Sequence, residues 1–406
     1  MTETTALPHG LHRAFRALAL LGVSGGLLFL TSACGDPDAP RSQEDRIIAL
    51  HPVADSIVLP PPDRTLALSP SEGTLDAAHP LVQSFLDAPI VVEIGELDGP
   101  EEQIFGTIAD AMVMDDGSIA ILDRQANELR LFDPDGVFLH AHGGSGDGPG
   151  EFGIPAYLVS PGAEALWVVD RRGFVHRYRH TSHELSFVDR VRIVPMFPSG
   201  ACAAGGNVIL HDGYAAETPG GSVLQRWDGE GNRLEDFAEI YNHSMPLILT
   251  RMRQGILGCD PDGLAVLVLA WLGRAVAYDA RDGSLLWQTE FAGLDIPRLI
   301  EYEDPPAVNQ RFEGEEHIHE PLRTVVIPGG SVLVQWKRTA FEDVVEGRTD
   351  EYRIDSWILD ANTGAGEYAG QVLPEILRWD DRRIVVLSDG PFPRIVVFAA
   401  PGSESQ

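Results

Sequence analysis

The chain has 406 residues, of which 44% are hydrophobic, 61 are acidic and 30 are basic, so its formal net charge is −31 at pH 7. This apolar content is enough to bury a large core, and three cysteines are too few for a small disulfide-stapled fold. Because so negative a protein repels phosphate backbones, we predict no nucleic-acid partner. The length allows one large repeat domain or two domains of ordinary size.

The first 33 residues have the pattern of an export signal. Arg13 and Arg16 precede an apolar run from Ala17 to Leu30. This run has the length of a signal-peptide core and is short for a membrane-spanning helix. We therefore predict that the protein leaves the cytoplasm.

The signal ends in the sequence TSACG, which resembles the lipobox of bacterial lipoproteins, with Thr31 at the position that usually holds leucine. The resemblance implies that residues 1–33 are removed and that Cys34 is acylated, for example with palmitate. Acyl chains on Cys34 would hold the protein at a membrane. Gly35 stands where inner-membrane lipoproteins typically carry aspartate, which favours the outer membrane. Plain secretion after Ala33, or an uncleaved anchor, is the alternative.

Residues 34–88 are predicted to connect this anchor to the folded body. Residues 35–65 are rich in proline and charge, which is typical of a semi-extended spacer. A short helix is predicted within residues 72–88, and its apolar side is formed by Leu75, Leu81, Val82, Phe85 and Leu86. The folded body is expected over residues 89–400, with a polar tail at 401–406.

Residues 109–140 show a complete structural unit. Short apolar segments alternate with turn sequences, namely DDG at 115–117 and DPDG at 133–136. Asp and Gly at such positions favour tight turns, so the unit reads as four short antiparallel strands joined by hairpins. Four such strands form one blade of a β-propeller.

The second strand of this unit recurs along the chain with a period near fifty residues. Its six copies lie at residues 118–123, 165–170, 207–212, 263–268, 331–336 and 383–388. We therefore predict an all-β, six-bladed propeller of four-stranded antiparallel blades. Seven blades remain the alternative, because the long step between residues 263 and 331 has room for extra strands.

The two ends of the repeat region complement each other. After residues 383–388 there is one further strand, 394–398, so the sixth blade lacks its outer strand. An unpaired apolar segment, IVVEI at residues 90–94, precedes the first blade. We predict that residues 90–94 pair with 394–398 and close the ring, which removes an open sheet edge.

The segment HGGSGDGPGEF at residues 142–152, together with the LD and FDPDG turns before it, resembles the unit of NHL-repeat and related six-bladed propellers. The match is good over residues 104–180 and looser elsewhere. The pattern also resembles that of lipid-anchored six-bladed propellers of environmental bacteria. The resemblance implies the fold and a place in the cell envelope, and it transfers no catalytic residue.

The loops that follow the second strands carry most of the candidate ligand-binding residues. In a propeller these loops open on the same face as the connections between blades. They contain Arg124, Arg171, Arg172, His211, Tyr214, Arg274, Trp336, Lys337 and Arg338. Because arginine donates bidentate hydrogen bonds to carboxylates and phosphates, we hypothesise that this face binds an anionic or sugar-like ligand. The alternative is that each arginine pairs with the aspartate beside it in its own loop.

Two further pairs of residues suggest other chemistry. Cys202 and Cys259 precede the second strands of neighbouring blades, so they can form a disulfide in an oxidising compartment, or remain small buried side chains. His317 and His319 lie in an acidic insertion and are weak candidates for a divalent metal, but no third ligand is evident. We predict no metal and no cofactor.

These patterns favour a membrane-tethered, extracytoplasmic binding module with a monomeric body. Its ligand would be a peptide, a glycan or another envelope protein. A propeller enzyme of the lactonase, lyase or quinone-dependent dehydrogenase type is the alternative, and a purely structural envelope component is a third reading. The predicted first strands contain few residues that could bind a metal ion in the central channel. Residues 109–114 offer only Asp110, and residues 156–160 offer none. Fold alone does not decide among these functions.

Overall fold

The computed structural model describes residues 47–68, 79–193, 197–213, 221–302, 307–311, 316–348 and 351–402. The signal peptide predicted at residues 1–33 and the predicted lipid attachment site, Cys34, lie outside the described residues. Six four-stranded antiparallel sheets follow one another along the chain. The first strands of successive sheets contact each other around a ring, including those of the last and first sheets. The chain is therefore a six-bladed β-propeller, as predicted.

The segment before the first blade contains strands β1 (Ile47–His51), β2 (Arg64–Ala67) and β3 (Ile90–Ile94). Blade 1 contains β4 (Ile108–Val113), β5 (Ile119–Asp123), β6 (Glu128–Phe132) and β7 (Phe138–Gly143). Blade 2 contains β8 (Pro155–Gly162), β9 (Ala165–Asp170), β10 (Phe174–Thr181) and β11 (Glu184–Arg192). Blade 3 contains β12 (Gly200–Ala204), β13 (Asn207–His211), β14 (Leu224–Asp228) and β15 (Arg233–Phe237).

Blade 4 contains β16 (Gly255–Cys259), β17 (Leu264–Leu269), β18 (Arg274–Asp279) and β19 (Leu285–Ala292), and the connection after it contains β20 (Arg298–Tyr302) and β21 (Ala307–Arg311). Blade 5 contains β22 (His317–Ile327), β23 (Ser331–Ala340), β24 (Tyr352–Asp360) and β25 (Gly366–Gly370). Blade 6 contains β26 (Glu375–Trp379), β27 (Arg383–Ser388) and β28 (Arg394–Ala399), completed by β3. The α-helices are α1 (Pro80–Leu86), α2 (Pro246–Met252) and α3 (Phe341–Glu346), and single 3₁₀ turns occur at Ala54–Ser56 and Glu101–Gln103.

The second strands form the apolar centre of each blade. All five residues of β5 are buried, as are five of the six residues of β9 and of β17. A second strand is covered on both faces by the neighbouring blades and is flanked on both edges within its own sheet. Such a position requires a continuous apolar run instead of an alternating one, which is why these six segments stand out in the sequence.

The ring closes through β3, as predicted. Ile94 pairs with Ile395 and Val92 pairs with Val397 in an antiparallel register. The turn DPDG of blade 1 packs directly against β3, since a Cβ on Gly136 would lie 2.6 Å from Cγ2 of Val92. Gly136 also has a φ of 83°, so only glycine fits both the turn and the contact.

The long step between blades 4 and 5 does not hold a seventh blade. Its extra strands, β20 and β21, pair with β1 in a separate three-stranded sheet. That sheet belongs to the connection between blades, so the alternative of seven blades is excluded by the strand pairing.

The predicted spacer ends earlier than expected. Residues 47–67, which we call the strap, pack on the propeller instead of forming a free tether up to residue 65. β1 pairs with β20, and β2 adds to the outer edge of β19 as a parallel fifth strand of blade 4. Between them, Leu59 is buried with core residues of blades 3 and 4. The strap covers the edge of one sheet and part of the face described below.

The predicted short helix is present within residues 72–88, of which the structure describes 79–88. α1 begins at Pro80 and ends at Leu86, and Val82 and Phe85 pack against core residues of blades 5 and 6. Leu86 is 45% exposed, although the pattern placed it on the apolar side. Leu75 lies outside the described residues.

Candidate ligand-binding face

Two buried aspartates organise one face of the propeller. Asp123, at the end of β5, accepts hydrogen bonds from the backbone N–H groups of Gly106 (3.0 Å) and Thr107 (3.2 Å). Asp170, at the end of β9, accepts in the same way from Gly153 (2.6 Å) and Ile154 (3.0 Å). These bonds tie each loop after a second strand to the connection that enters the blade. Both kinds of loop therefore lie on one face, which we call the loop face.

These bonds also affect whether a neighbouring arginine can pair with the aspartate before it. The carboxylate of Asp123 accepts from backbone N–H groups on both sides of the turn, including those of Gln125 and Ala126. Among the described residues, no carboxylate lies within the salt-bridge distance of the Arg124 guanidinium. The alternative that each loop arginine pairs with its own aspartate thus fails at Arg124.

Arg124 and Arg171 lie on loops of adjacent blades, and Arg171 contacts Tyr157 of the first strand β8. Arg171 donates a hydrogen bond to the hydroxyl of Tyr157 (3.2 Å), and its guanidinium lies 5.9 Å from the centre of that ring. Partial burial and the positive charge of Arg171 both lower the pKa of Arg124, while Tyr157 opposes the shift. Two arginines on neighbouring loops of one face offer donors that suit an anionic group.

The opposite side of the channel opening carries charges of both signs. Nζ of Lys337 lies 4.5 Å from the ring centre of Tyr352. Nε of Arg323 donates to Oε1 of Glu375 (2.6 Å) on β26. Burial, and next the charge of Glu375, raise the pKa of Asp389, which is also close enough to Lys337 to interact with it electrostatically. Tyr157, Arg323 and Glu375 all lie on first strands, which surround the central channel, so these groups lie around one opening of that channel. We call this opening the channel mouth.

Below the mouth, an ion pair links three blades. Oδ2 of Asp110 on β4 accepts hydrogen bonds from Leu158 N (2.9 Å) on β8 and from Arg378 (2.7 Å) on β26. Oδ1 of Asp110 accepts from the N–H of Ala111. Both carboxylate oxygens are therefore hydrogen-bonded, and Asp110 links blades 1, 2 and 6 around the channel.

The other half of the loop face is covered. The helix α2 and the strap lie over blades 3 and 4, and Arg253, directly after α2, is fully buried. Two predicted site residues are enclosed there. His211 is fully buried, and Arg274 is 8% exposed, with contacts to Glu290 (3.6 Å) and to the carbonyl oxygen of Pro60 (3.5 Å). These residues are part of the covered half, and the structure does not bring them to the channel mouth.

His211 is held in its neutral form by its surroundings. Nε2 donates to the carbonyl oxygen of Arg253 (3.0 Å), and Nδ1 accepts from the hydroxyl of Ser199 (2.8 Å). Burial lowers the pKa of His211 from 6.5 to about 4. Protonation therefore occurs more readily in the unfolded chain than in the folded one, so this residue favours folding fully above pH 6.5 and progressively less as the pH falls towards 4.

We expect His211 alone to remove about 1.4 kcal/mol from the free energy of unfolding between pH 7.5 and pH 5.5. Urea unfolding of the wild-type chain and of His211→Gln at both pH values measures this. The variant is less stable at pH 7.5, because it loses the fitted hydrogen bonds, but its stability should fall less with pH. An equal fall in both proteins would contradict the assignment.

The remaining predicted residues lie apart from the mouth or at its edge. Trp336 is fully buried in the blade core. Arg172 is held on the Gly-rich connection by Asp147 (3.2 Å) and the carbonyl oxygen of Gly146 (2.9 Å). Its Nε also lies 4.0 Å from Asp170, so the alternative of pairing within the loop holds at Arg172. Nε of Arg338 lies 3.9 Å from Asp355. Tyr214 lies outside the described residues. The aromatic rings at the mouth are instead those of Tyr157 and Tyr352, which the sequence analysis did not identify.

The two histidines of the acidic insertion occupy different environments. His319 is buried, its Nδ1 accepts from the N–H of Asp295 (2.9 Å), and its Nε2 lies 3.5 Å from Asp355. His317 lines a cavity of about 460 Å³ together with Arg338, Ala340, Asp343, Glu351, Tyr352 and Arg353. Because Nδ1 of His319 accepts a backbone proton, Nε2 carries the hydrogen of the neutral ring and is not available as a metal ligand.

A cluster that the sequence did not reveal joins the strap to blades 3 and 4. Nε2 of His51 and Nε2 of His243 lie 3.0 and 3.4 Å from Oε2 of Glu301. The spacing is compatible with a metal ion, but Nδ1 of His243 accepts from the N–H of Met245 (3.0 Å). A backbone N–H cannot accept, so Nε2 of His243 carries the proton and donates it to Glu301. His51, His243 and Glu301 therefore form a hydrogen-bonded cluster that holds the strap, and the proton on Nε2 of His243 does not fit a metal centre.

Cys202 and Cys259 form a disulfide between the first strands of blades 3 and 4, with a Cα–Cα distance of 5.7 Å. β12 and β16 are neighbours around the channel. A disulfide across 57 residues typically stabilises a fold by about 2–4 kcal/mol and persists in oxidising compartments.

No protein-family model and no curated protein matches the sequence. Among solved structures, a protein of Bacteroides fragilis NCTC 9343 described as exported superposes with a TM-score of 0.49 at 12% identity, over 75% of this chain and 93% of its own. The WD40 repeats of RRP9 give a TM-score of 0.46 at 12% identity, over 77% and 99%. The extracellular domain of a hybrid two-component system from B. thetaiotaomicron gives 0.42 at 13% identity, over 77% and 36%. At such scores and identities, we base no argument about function on these likenesses.

None of the helices in the described part of the chain has the length and apolar character needed to cross a membrane.

Proposed function

We propose that this protein is an extracytoplasmic binding module that captures a carboxylate-bearing ligand at the channel mouth of its propeller. The observation that carries the proposal is the placement of Arg124 and Arg171 on adjacent loops of one face, where Arg171 donates to the hydroxyl of Tyr157. Asp123 and Asp170, which precede these arginines, accept hydrogen bonds from backbone N–H groups. Among the described residues, Asp123 therefore forms no salt bridge with Arg124.

The charge balance of the chain makes this pair distinctive. A protein of net charge −31 repels acidic molecules over most of its surface. A local cationic pair beside a tyrosine hydroxyl then selects a small negative group presented in the right position, since guanidinium donors match the geometry of a carboxylate.

The location is a second part of the proposal. It rests on the signal-like residues 1–33, the lipobox-like sequence at Cys34 and the Cys202–Cys259 disulfide. We propose that acyl chains on Cys34 tether the propeller to a membrane of the cell envelope, with the outer membrane favoured by Gly35. Metabolic labelling with palmitate tests the anchor, with a Cys34→Ala chain as control.

Citrate is a suitable probe of the arginine pair, because it offers carboxylates without any other recognition element. We expect the purified chain to bind citrate in calorimetric titration and not to bind trimethyl citrate, in which the charges are masked. Arg124→Gln combined with Arg171→Gln should weaken citrate binding at least tenfold, the effect of losing one or more charge-assisted hydrogen bonds.

A matched variant controls for the change of net charge. Arg179→Gln combined with Arg382→Gln removes two positive charges away from the mouth, from β10 and from the turn between β26 and β27. It should bind citrate as the wild type does. Equal losses in both double variants, or no citrate binding by the wild-type chain, would refute the proposed site.

A further inference from the structure

Two outer strands of the propeller are longer than the others. β11 of blade 2 has nine residues and β19 of blade 4 has eight, whereas the outer strands of the other blades have five or six. The outer side of β19 is covered, because β2 of the strap pairs with it as a fifth strand. β11 ends its own sheet, and no strand of the described residues pairs with its outer side. Blade 2 therefore has the longest open outer edge in the described part of the chain.

The backbone of β11 presents hydrogen-bonding groups at this edge. The N–H of Ile193 donates to the carbonyl oxygen of Gly173 (2.9 Å), so these two residues form the hydrogen-bonded kind of antiparallel pair. From this pair the register continues without a shift through the pairs formed by Arg192 and Arg190. Because the two kinds of pair alternate, the N–H and C=O groups of Arg190 and Arg192 point away from β10, towards the open edge.

Blade 2 also differs from the other blades in charge. Residues 155–192 contain six arginines and four acidic residues, which gives a formal charge of +2. The residues spanned by each of the other five blades include more acidic than basic side chains, and the whole chain has a net charge of −31. The open edge thus belongs to the blade with a net positive charge, which attracts anionic groups.

Two of these arginines lie on the edge strand itself. Arg190 and Arg192 are two residues apart, so their side chains lie on the same face of the sheet, and Val191 lies on the opposite face. Arg192 is exposed. The guanidinium of Arg190 lies 4.4 Å from the centre of the Phe174 ring and donates to the carbonyl oxygen of Asp147 (2.9 Å), which fixes its position.

We propose that β11 is the docking site for an extended segment of a partner protein, which adds to blade 2 as a fifth strand. Residues of this segment that pair directly with Arg190 and Arg192 lie on the same face as these arginines, where opposite charges stabilise a sheet. The segment should therefore carry two acidic residues separated by one apolar or β-branched residue, which lies opposite Val191. The pairing of β2 with β19 shows that the outer edge of a blade in this chain accepts a fifth strand. This surface is separate from the channel mouth, and the inference does not depend on the proposed function.

Other occupants fit this edge less well. Two copies of β11 paired at these positions would place arginine opposite arginine, and like charges directly opposite each other destabilise a sheet. The net charge of −31 adds long-range repulsion between copies. Anionic lipid head groups match the charge of Arg190 and Arg192, but they do not supply the alternating donors and acceptors that a strand edge pairs with.

A displayed library of random nine-residue peptides is the probe, with the purified chain immobilised as bait. We expect the enriched peptides to contain two acidic residues separated by one apolar residue. Arg190→Gln combined with Arg192→Gln should weaken the binding of an enriched peptide about fivefold or more, and added salt should weaken its binding to the wild type. Arg382→Gln combined with Arg383→Gln removes two positive charges from blade 6 and should leave peptide binding unchanged.

A further variant tests the backbone edge separately from the charge. Arg192→Pro removes the outward N–H without removing a hydrogen bond to β10, so the variant should fold as the wild type does, which circular dichroism checks. It should bind the peptide more weakly than Arg192→Gln, because both variants lose the same charge and only the proline variant loses the edge donor.

Several outcomes would overturn the inference. Enriched peptides without the acidic pair contradict it, as does equal peptide binding by Arg192→Pro and Arg192→Gln. A dimer in sedimentation velocity that Arg192→Pro dissociates would assign the edge to a second copy of the chain. Binding to phosphatidylglycerol vesicles that the double arginine variant loses, with no peptide enriched from the library, would assign it to a lipid surface.

Discussion

Replacing Asp110 by alanine is expected to lower the free energy of unfolding by about 2–4 kcal/mol. Asp110 is 2% exposed and joins blades 1, 2 and 6 through Leu158 and Arg378. Its loss leaves the N–H of Leu158 without its acceptor and the charge of Arg378 without its partner. Because the side chain of Arg378 is 33% exposed, water compensates part of that charge, so the expected loss is below that of a fully buried pair.

Urea unfolding followed by circular dichroism measures this effect, and a second variant divides it into its parts. Asp110→Asn keeps an oxygen for Leu158 but removes the charge, so it should lose less than Asp110→Ala. Asp135→Ala, at an exposed turn position, is the control and should change stability by no more than about 0.5 kcal/mol. If Asp110→Ala is as stable as this control, the three-blade link does not stabilise the ring.

Replacing Ile94 by alanine should cost about 2–5 kcal/mol, the range for removing a large buried aliphatic side chain. Ile94 is fully buried in the strand that closes the ring, where it packs with Ile395, Val397 and Phe105. The substitution therefore leaves a cavity between blades 6 and 1, where the two ends of the repeat region meet.

Val91→Ala is the natural control, because Val91 lies on the same strand but is 43% exposed. It should change the unfolding midpoint little, and both variants should keep the wild-type denaturant dependence. A loss of less than about 0.5 kcal/mol for Ile94→Ala would be inconsistent with ring closure through β3.

The blades were predictable because their signals are local. Apolar second strands such as Ile119–Asp123 recur six times, and turns such as DPDG lie close to them in the sequence. Closure of the ring was also predictable, because the sixth blade lacked its outer strand and the strand at residues 90–94 had no partner in the first blade. The strap was not, since β1 and β2 are short and their partners, β20 and β19, lie more than two hundred residues further along the chain.

The candidate site was predicted only in part, for a related reason. Topology alone places Arg124 and Arg171 on the loop face, and the structure brings them together. The same argument placed His211 and Arg274 there, but inserted segments cover them, and no local pattern shows what an insertion covers. Tyr157 was missed because it stands in an apolar strand, where its hydroxyl is visible only once Arg171 is seen to bond it.

The pairing of β3 with β28 has a consequence for biogenesis. The two strands are separated by roughly 300 residues, so the ring cannot close until residues 394–399 have been synthesised. Until then, blade 1 and the incomplete blade 6 each present an apolar flank that only the other can cover. Incomplete chains in that state expose apolar surface, so complete folding should be limited by the arrival of the strand at residues 394–399.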